Sequence, residues 1–103
     1  MELDEIREFV ARVDPTAQHQ ESTAETDDYT VWYELEPIGL QADDGFEPWG
    51  WRFVIEHWAV NEMDDVARGF IDALTVEDIP YTLTVDYDMG AQLIQYKFTC
   101  EGV

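Results

Sequence analysis

The sequence predicts an α+β fold with the element order α-β-β-α-β-β, in which two helices lie on one face of a four-stranded, mainly antiparallel sheet. Three observations lead there. Two segments carry apolar residues at helical spacing, four segments alternate apolar with polar residues, and turn-forming residues separate the members of each alternating pair. With 103 residues the chain, 1–103, reads as one domain, able to bury about two-thirds of the surface its unfolded form exposes.

From Leu3 to Val13 the apolar residues Leu3, Ile6, Phe9, Val10 and Val13 mark one helical face. Acids crowd the first turn and Arg7 and Arg12 lie further along, which suits the helix dipole, and Asp14-Pro15 closes the helix. Pro15 to Asp28 has no apolar period and reads as a surface connection. Strict alternation then begins: Tyr29, Val31, Tyr33 and Leu35 share one parity, and Thr30, Trp32, Glu34 and Glu36 the other. Pro37 to Pro48 is rich in Gly, Pro and Asp and reads as a long loop with its tip at Asp43-Asp44-Gly45. A second strand follows, with Trp49, Trp51, Phe53, Ile55 and His57 on one parity and Arg52, Val54, Glu56 and Trp58 on the other.

Asn61 stands where an N-cap is expected, with Asp64 at its N3 position. Met63, Val66, Ala67, Phe70, Ile71 and Leu74 give the clearest helical period in the chain, and Pro80 ends the connection after it. Tyr81, Leu83, Val85 and Tyr87 alternate with Thr82, Thr84, Asp86 and Asp88. The turn Asp88-Met89-Gly90-Ala91 leads into Ile94, Tyr96, Phe98 and Cys100, which alternate with Leu93, Gln95, Lys97 and Thr99. The first-named set of each strand is assigned to the helices, with Trp49 and Trp51 as ordinary core packing. The other face then collects Trp32, Arg52, Val54, Trp58, Leu93 and Lys97 among Thr, Glu and Asp. Two tryptophans with aliphatic neighbours on a nominally solvated face make these six the candidate interface.

Composition removes several function classes. Against 24 Asp and Glu stand only Arg7, Arg12, Arg52, Arg68 and Lys97, a net charge of −19, so neither phosphate-based nucleic-acid binding nor an anionic membrane surface is expected. The longest wholly apolar run, Phe53-Val54-Ile55, is far short of the roughly 20 residues of a spanning helix. The acidic start Met1-Glu2-Leu3-Asp4-Glu5 is unlike a secretion signal, and a lone Cys100 suits a reducing compartment; both point to the cytoplasm. His19, His57 and Cys100 lie in three different settings and do not make a zinc site. Asp86-Tyr87-Asp88-Met89-Gly90 begins like a calcium loop, but its glycine comes one place early and no Glu closes it, so it reads as a hairpin turn. The pairs Asp43-Asp44 and Asp64-Asp65 are what so acidic a composition produces without function. His57 reads as a hydrogen-bonded histidine at the core boundary, no Ser or Cys nucleophile can be assembled, and no Gly-rich phosphate loop occurs. A non-catalytic protein without cofactor or metal is expected.

Nineteen surplus charges on so small a body repel strongly where the Debye length is about 10 Å, at 0.1 M salt, and much less where it is about 3 Å, at 1 M. The acids are dispersed over helices, loops and outward strand positions, and one lysine remains. In this the chain resembles the small acidic proteins of salt-in haloarchaea, a likeness of composition over the whole chain and of no motif. The resemblance implies a cytoplasm rich in potassium chloride and brings no activity with it. The expected function is a protein-binding or structural module that self-associates, as a dimer, through its open sheet face. Two alternatives share the size and charge. Small acidic phage and plasmid proteins that imitate DNA inhibit restriction or CRISPR machinery by offering carboxylates in place of phosphates. Secretion-chaperone-like homodimers have a similar helix and hairpin order, but usually add a strand and a C-terminal helix not found in this sequence.

Overall fold

A computed structural model describes residues 1–21, 28–42, 45–62 and 64–103. Helix α1 (Leu3–Val13) buries Ile6, Phe9 and Val10, and its first turn is closed where the Glu5 carboxylate accepts the Glu2 N–H at 3.0 Å. Helix α2 (Asp65–Val76) buries Ala67, Phe70 and Leu74. Its N-cap is Asp64 and not Asn61. A cap must lie within reach of the N2 and N3 amides, and Asp64 Oδ2 accepts from the N–H groups of Val66 and Ala67 at 3.0 and 3.2 Å. Met63 lies outside the described residues. The helix ends in a Schellman arrangement: the Ile79 N–H donates to the Leu74 carbonyl at 2.9 Å, the Asp78 N–H donates to the Thr75 carbonyl, and Asp78 takes φ of 54°.

The sheet has five strands and is mixed, where four were expected. Its order is β1 (Gln18–His19), β2 (Tyr29–Ala42), β3 (Gly45–Ala59), β5 (Leu93–Gly102), β4 (Tyr81–Asp88). The extra strand β1 lies in the segment read as a surface connection and runs parallel to β2, while every other pair is antiparallel. Two residues carry no period. β1 exists because His19 stacks on Trp32 with ring centroids 4.0 Å apart and the following Gln20 N–H donates to the Trp32 carbonyl at 2.7 Å.

The segment expected to loop from Pro37 to Pro48 is instead ladder. With register shifts at Glu34/Glu36 and Ile38/Gly39, β2 and β3 stay paired out to Ala42 and Gly45; of the expected tip Asp43-Asp44-Gly45, Gly45 begins β3 and Asp43 and Asp44 lie outside the described residues. β5 pairs with β3 over Trp51 to Ala59, so the far part of the hairpin projects as a two-stranded ribbon. The molecule accordingly measures 50 × 26 × 22 Å, and its radius of gyration of 14.6 Å exceeds the roughly 13 Å of a compact chain this long. Trp51 packs against the core, but Trp49 is 58 % exposed, contrary to its expected burial, because it sits on that ribbon beyond the helices.

Both helices pack on one face of the sheet, where Phe9, Phe53, Phe70, Phe98, Ile6, Ile55 and Leu74 are fully buried. Directly opposed residues of an antiparallel pair share a face. Trp32 lies opposite Ile55, Thr30 opposite His57 and Glu34 opposite Phe53, so β2 shows the helices the parity assigned above to solvent. The expected faces of β3 and β5 stand. Trp32, 2 % exposed, is therefore a core residue and not part of an open-face interface.

Candidate interface on the open sheet face

Register places the open face residue by residue. Across β2, β3 and β5 one row is Tyr29, Trp58 and Gln95, the next is Val31, Glu56 and Lys97, and the third is Tyr33, Val54 and Thr99. On β4 the rows end in Asp86, Thr84 and Thr82. Leu93 stands beyond the first row and Arg52 beyond the third. Of the six residues singled out in the sequence, Arg52, Val54, Trp58, Leu93 and Lys97 thus share this face and Trp32 does not. Tyr29, Val31 and Tyr33 belong to it and were missed.

The face is paved with rings. Tyr29 and Trp58 stack at 5.8 Å and 20°, and Tyr33 donates its hydroxyl proton to Glu56 Oε1 at 2.8 Å. Burial, together with that hydrogen bond to a carboxylate, pushes the Tyr33 phenol up to about 12. Val54, Val31 and Leu93 are 1 %, 7 % and 9 % exposed on a face that no described helix covers. Arg52 is held between Glu36 at 2.8 Å and Glu101 at 3.4 Å, exposed ion pairs of small energetic weight. A shallow pocket bounded by Leu35, Arg52, Thr82 and Thr99 continues the face toward the ribbon. In a chain with 24 acids and 5 bases, the three central rows on β2, β3 and β5 hold one of each, Glu56 and Lys97, side by side.

The opposite face holds a polar chain. Asp14, the C-cap of α1, accepts from Thr30 Oγ1 through Oδ2 at 2.6 Å, and from the Thr16 N–H and hydroxyl through Oδ1 at 2.9 and 2.6 Å. Thr30 Oγ1 lies 2.7 Å from His57 Nδ1, and His57 Nε2 lies 2.6 Å from Asp64 Oδ2. Burial alone would raise Asp14, but hydrogen bonds from Thr16 and Thr30 and the neighbouring His57 outweigh it and hold the carboxyl below its ordinary range. Thr30 donates its one hydroxyl proton to Asp14, which leaves Nδ1 as the donor in its contact with His57, and Asp64 Oδ2, facing Nε2, also accepts two helix amides. The connectivity is that of a hydroxyl, an imidazole and a carboxylate in series. Thr30 and His57 are each 1 % exposed, however, and the hydroxyl proton is committed to Asp14, so the chain ties four elements together.

Other candidate chemistry is equally occupied. His19 Nε2 contacts Glu34 Oε2 at 2.6 Å, and that hydrogen bond lowers Glu34. Asp88 Oδ1 accepts the N–H groups of Gly90 and Ala91 at 2.9 and 3.2 Å, which spends the supposed calcium-loop acid on a turn. Cys100 is fully buried, and burial pushes its thiol up to about 12. Among the described residues no three His, Cys, Asp or Glu side chains gather into a cluster fit for a metal, and no helix is long and apolar enough to cross a membrane. The chain matches no family model, no curated protein and no solved structure.

Proposed function

We propose that the protein is a salt-adapted, non-catalytic binding module that self-associates through the open face of its sheet. The observation that carries this reading is the charge balance of that face. Elsewhere the chain disperses acids, yet beneath Tyr29, Tyr33 and Trp58 the described grid offers one Glu and one Lys in adjacent strands. A two-fold interface must be complementary to itself. An axis parallel to the strands and midway between β3 and β5 sets Glu56 of each copy against Lys97 of the other and lays β2 and β3, with their rings, over β4 and β5 of the second copy as a sheet sandwich. The acids at the rim, Glu36, Asp86, Asp88 and Glu101, repel across such an interface until salt screens them.

Self-association therefore strengthens as potassium chloride rises from 0.1 M to 2 M, which sedimentation equilibrium measures directly. Trp58→Glu yields a monomer at every salt concentration, and Lys97→Glu weakens the dimer while Glu56→Lys combined with Lys97→Glu restores it. A wild-type monomer at high salt and millimolar protein refutes the reading. Binding that instead weakens steeply with salt, to a basic DNA-binding protein, is the behaviour of a DNA mimic.

A further inference from the structure

The sheet has a second unpartnered feature, independent of its open face: the outer edge of β4. Among the described residues this strand pairs with β5 on one side only. The Glu101 N–H donates to the Pro80 carbonyl at 2.9 Å, which makes Pro80 and Glu101 a hydrogen-bonded pair. The ladder then alternates without a register shift, so Thr82, Thr84, Asp86 and Asp88 turn their backbone groups toward β5, and Tyr81, Leu83, Val85 and Tyr87 turn theirs outward. Protein edges of this length are ordinarily blunted by a lysine, a proline or a bulge. From Tyr81 to Asp88 there is none of these.

The side chains beside the outward backbone groups are apolar and uncovered. Val85 is 54 % exposed and Tyr87 60 %. With Val60, Ile94 and Tyr96 they line a groove at the sheet edge to which Glu62 and Asp86 also contribute. Asp86 and Asp88 occupy the alternate positions on the other side of the strand. An edge guarded by acids alone does not exclude every strand. It selects by charge.

We propose that the β4 edge is a docking site for an extended segment of a partner protein in which apolar residues alternate with Lys or Arg. Such a segment adds a sixth strand, hydrogen-bonding to Leu83, Val85 and Tyr87. Its apolar side chains cover Val85 and Tyr87 on the helix side, and its cations lie beside Asp86 and Asp88. A second copy of this chain is the poorer occupant, because β4 has no cation and pairing two copies through their C-terminal halves sets acid beside acid.

The test uses a labelled eight-residue peptide alternating Val with Lys, with an alternating Val and Glu peptide and an alternately N-methylated Val and Lys peptide as controls. Fluorescence anisotropy at 0.2 M potassium chloride is expected to show binding by the first and at least tenfold weaker binding by each control. On binding, hydrogen exchange slows at the amides of Leu83, Val85 and Tyr87 and stays unchanged at Thr84 and Asp86. Val85→Pro removes an outward donor without breaking the ladder to β5, so it keeps the circular dichroism spectrum and loses the peptide at least tenfold; Val85→Ala retains binding, and Asp86→Asn with Asp88→Asn weakens it. Equal binding of the acidic peptide, or binding without the alternating exchange pattern, overturns the proposal. So does a homodimer that Val85→Pro dissolves and Trp58→Glu leaves intact, since the occupant is then a second copy.

Discussion

The two faces of the sheet solve opposite problems with the same strand. Phe53 and Val54 are neighbours in β3, 0 % and 1 % exposed, yet Phe53 belongs to the core cluster shared with both helices and Val54 lies on the face that no described helix covers. On the helix side burial is deep enough that polar groups must be matched, and no described buried side-chain nitrogen or oxygen lacks a partner. On the open side polar groups stay half in water and need no such matching. The lesson is that apolar content does not by itself decide which face of a strand is the interior. A face can take in a threonine, a histidine and two aspartates if they satisfy one another, and leave tyrosines outside.

The sharpest way to break that comparison is to truncate on each side of β3. In a chain kept monomeric by Trp58→Glu, Phe53→Ala leaves a hole between both helices and the sheet and is expected to cost about 3–5 kcal/mol, whereas Val54→Ala has no described helix above it and costs about 1–2 kcal/mol. Urea denaturation in 2 M salt, with each variant held at the same concentration, measures both. Equal losses would mean the open face is packed as firmly as the core.

Next in size is the polar chain. Thr30→Val keeps the shape of the side chain and strips the Thr30 hydrogen bond from Asp14 Oδ2 and from His57 Nδ1, while Thr16 still holds Asp14 Oδ1 and Asp64 still meets His57 Nε2. It should cost about 1–3 kcal/mol, and Thr30→Ser, which keeps the hydroxyl, should recover most of it. A neutral Thr30→Val would show that water replaces the hydroxyl and that the tie between α1, β2, β3 and α2 is not holding them.

These two groups of residues also mark what the sequence could and could not disclose. Both helices, the faces of β3 and β5, and the open-face placement of five of the six singled-out residues were readable, because long periodic segments bury one stripe whatever surrounds them. The parity of β2 was not. Tyr29, Val31, Tyr33 and Leu35 are more apolar than Thr30, Trp32, Glu34 and Glu36, and choosing between them required knowing that Asp14 and His57 would meet Thr30 and that His19 would meet Glu34. Those partners come from the end of a helix, another strand and a two-residue strand that exists only through its pairing. That no described helix lies over Tyr29, Tyr33 and Trp58 is likewise a property of the assembled sheet.

Acid sharpens the comparison by acting on both faces with opposite sign. Asp14 and Glu34 are held below their ordinary values of 3.8 and 4.5. A carboxyl depressed in the folded state contributes stability that is present above its unfolded value and lost as pH falls through the folded one. Protonating surface acids at the same time relieves the repulsion of the net charge. In 2 M salt, where that relief is muted, stability should fall as pH drops from about 4 toward 2, and Asp14→Asn should flatten the fall while lowering stability at pH 6. At the alkaline end, Tyr33, raised from 10.0 to about 12, gives the reverse sign: folding loses stability between those values, and Tyr33→Phe removes the loss. Denaturation midpoints measured across pH read all three.

The smallest expected effect is a gain, and it separates local strain from the charge of the whole molecule. Asp78 takes φ of 54° at the end of α2, in the Schellman arrangement that brings Ile79, 7 % exposed, back onto the core. A glycine adopts that conformation without the clash an aspartate side chain incurs, so Asp78→Gly should stabilise the fold by about 0.5–1 kcal/mol. The same substitution removes one of 24 acids, next to Glu77 at the negative end of the helix dipole. The two contributions part with salt: relief of backbone strain is the same at 0.2 M and 2 M potassium chloride, and relief of repulsion shrinks as the Debye length falls. Asp78→Asn, which tolerates the left-handed region and drops the charge, reports the electrostatic share alone. If that share is most of the gain at 0.2 M and vanishes at 2 M, the acids of this surface are a burden that only concentrated salt lifts. A gain that does not change with salt would instead place the strain in the backbone, and remove one support for reading the surface as adapted to brine.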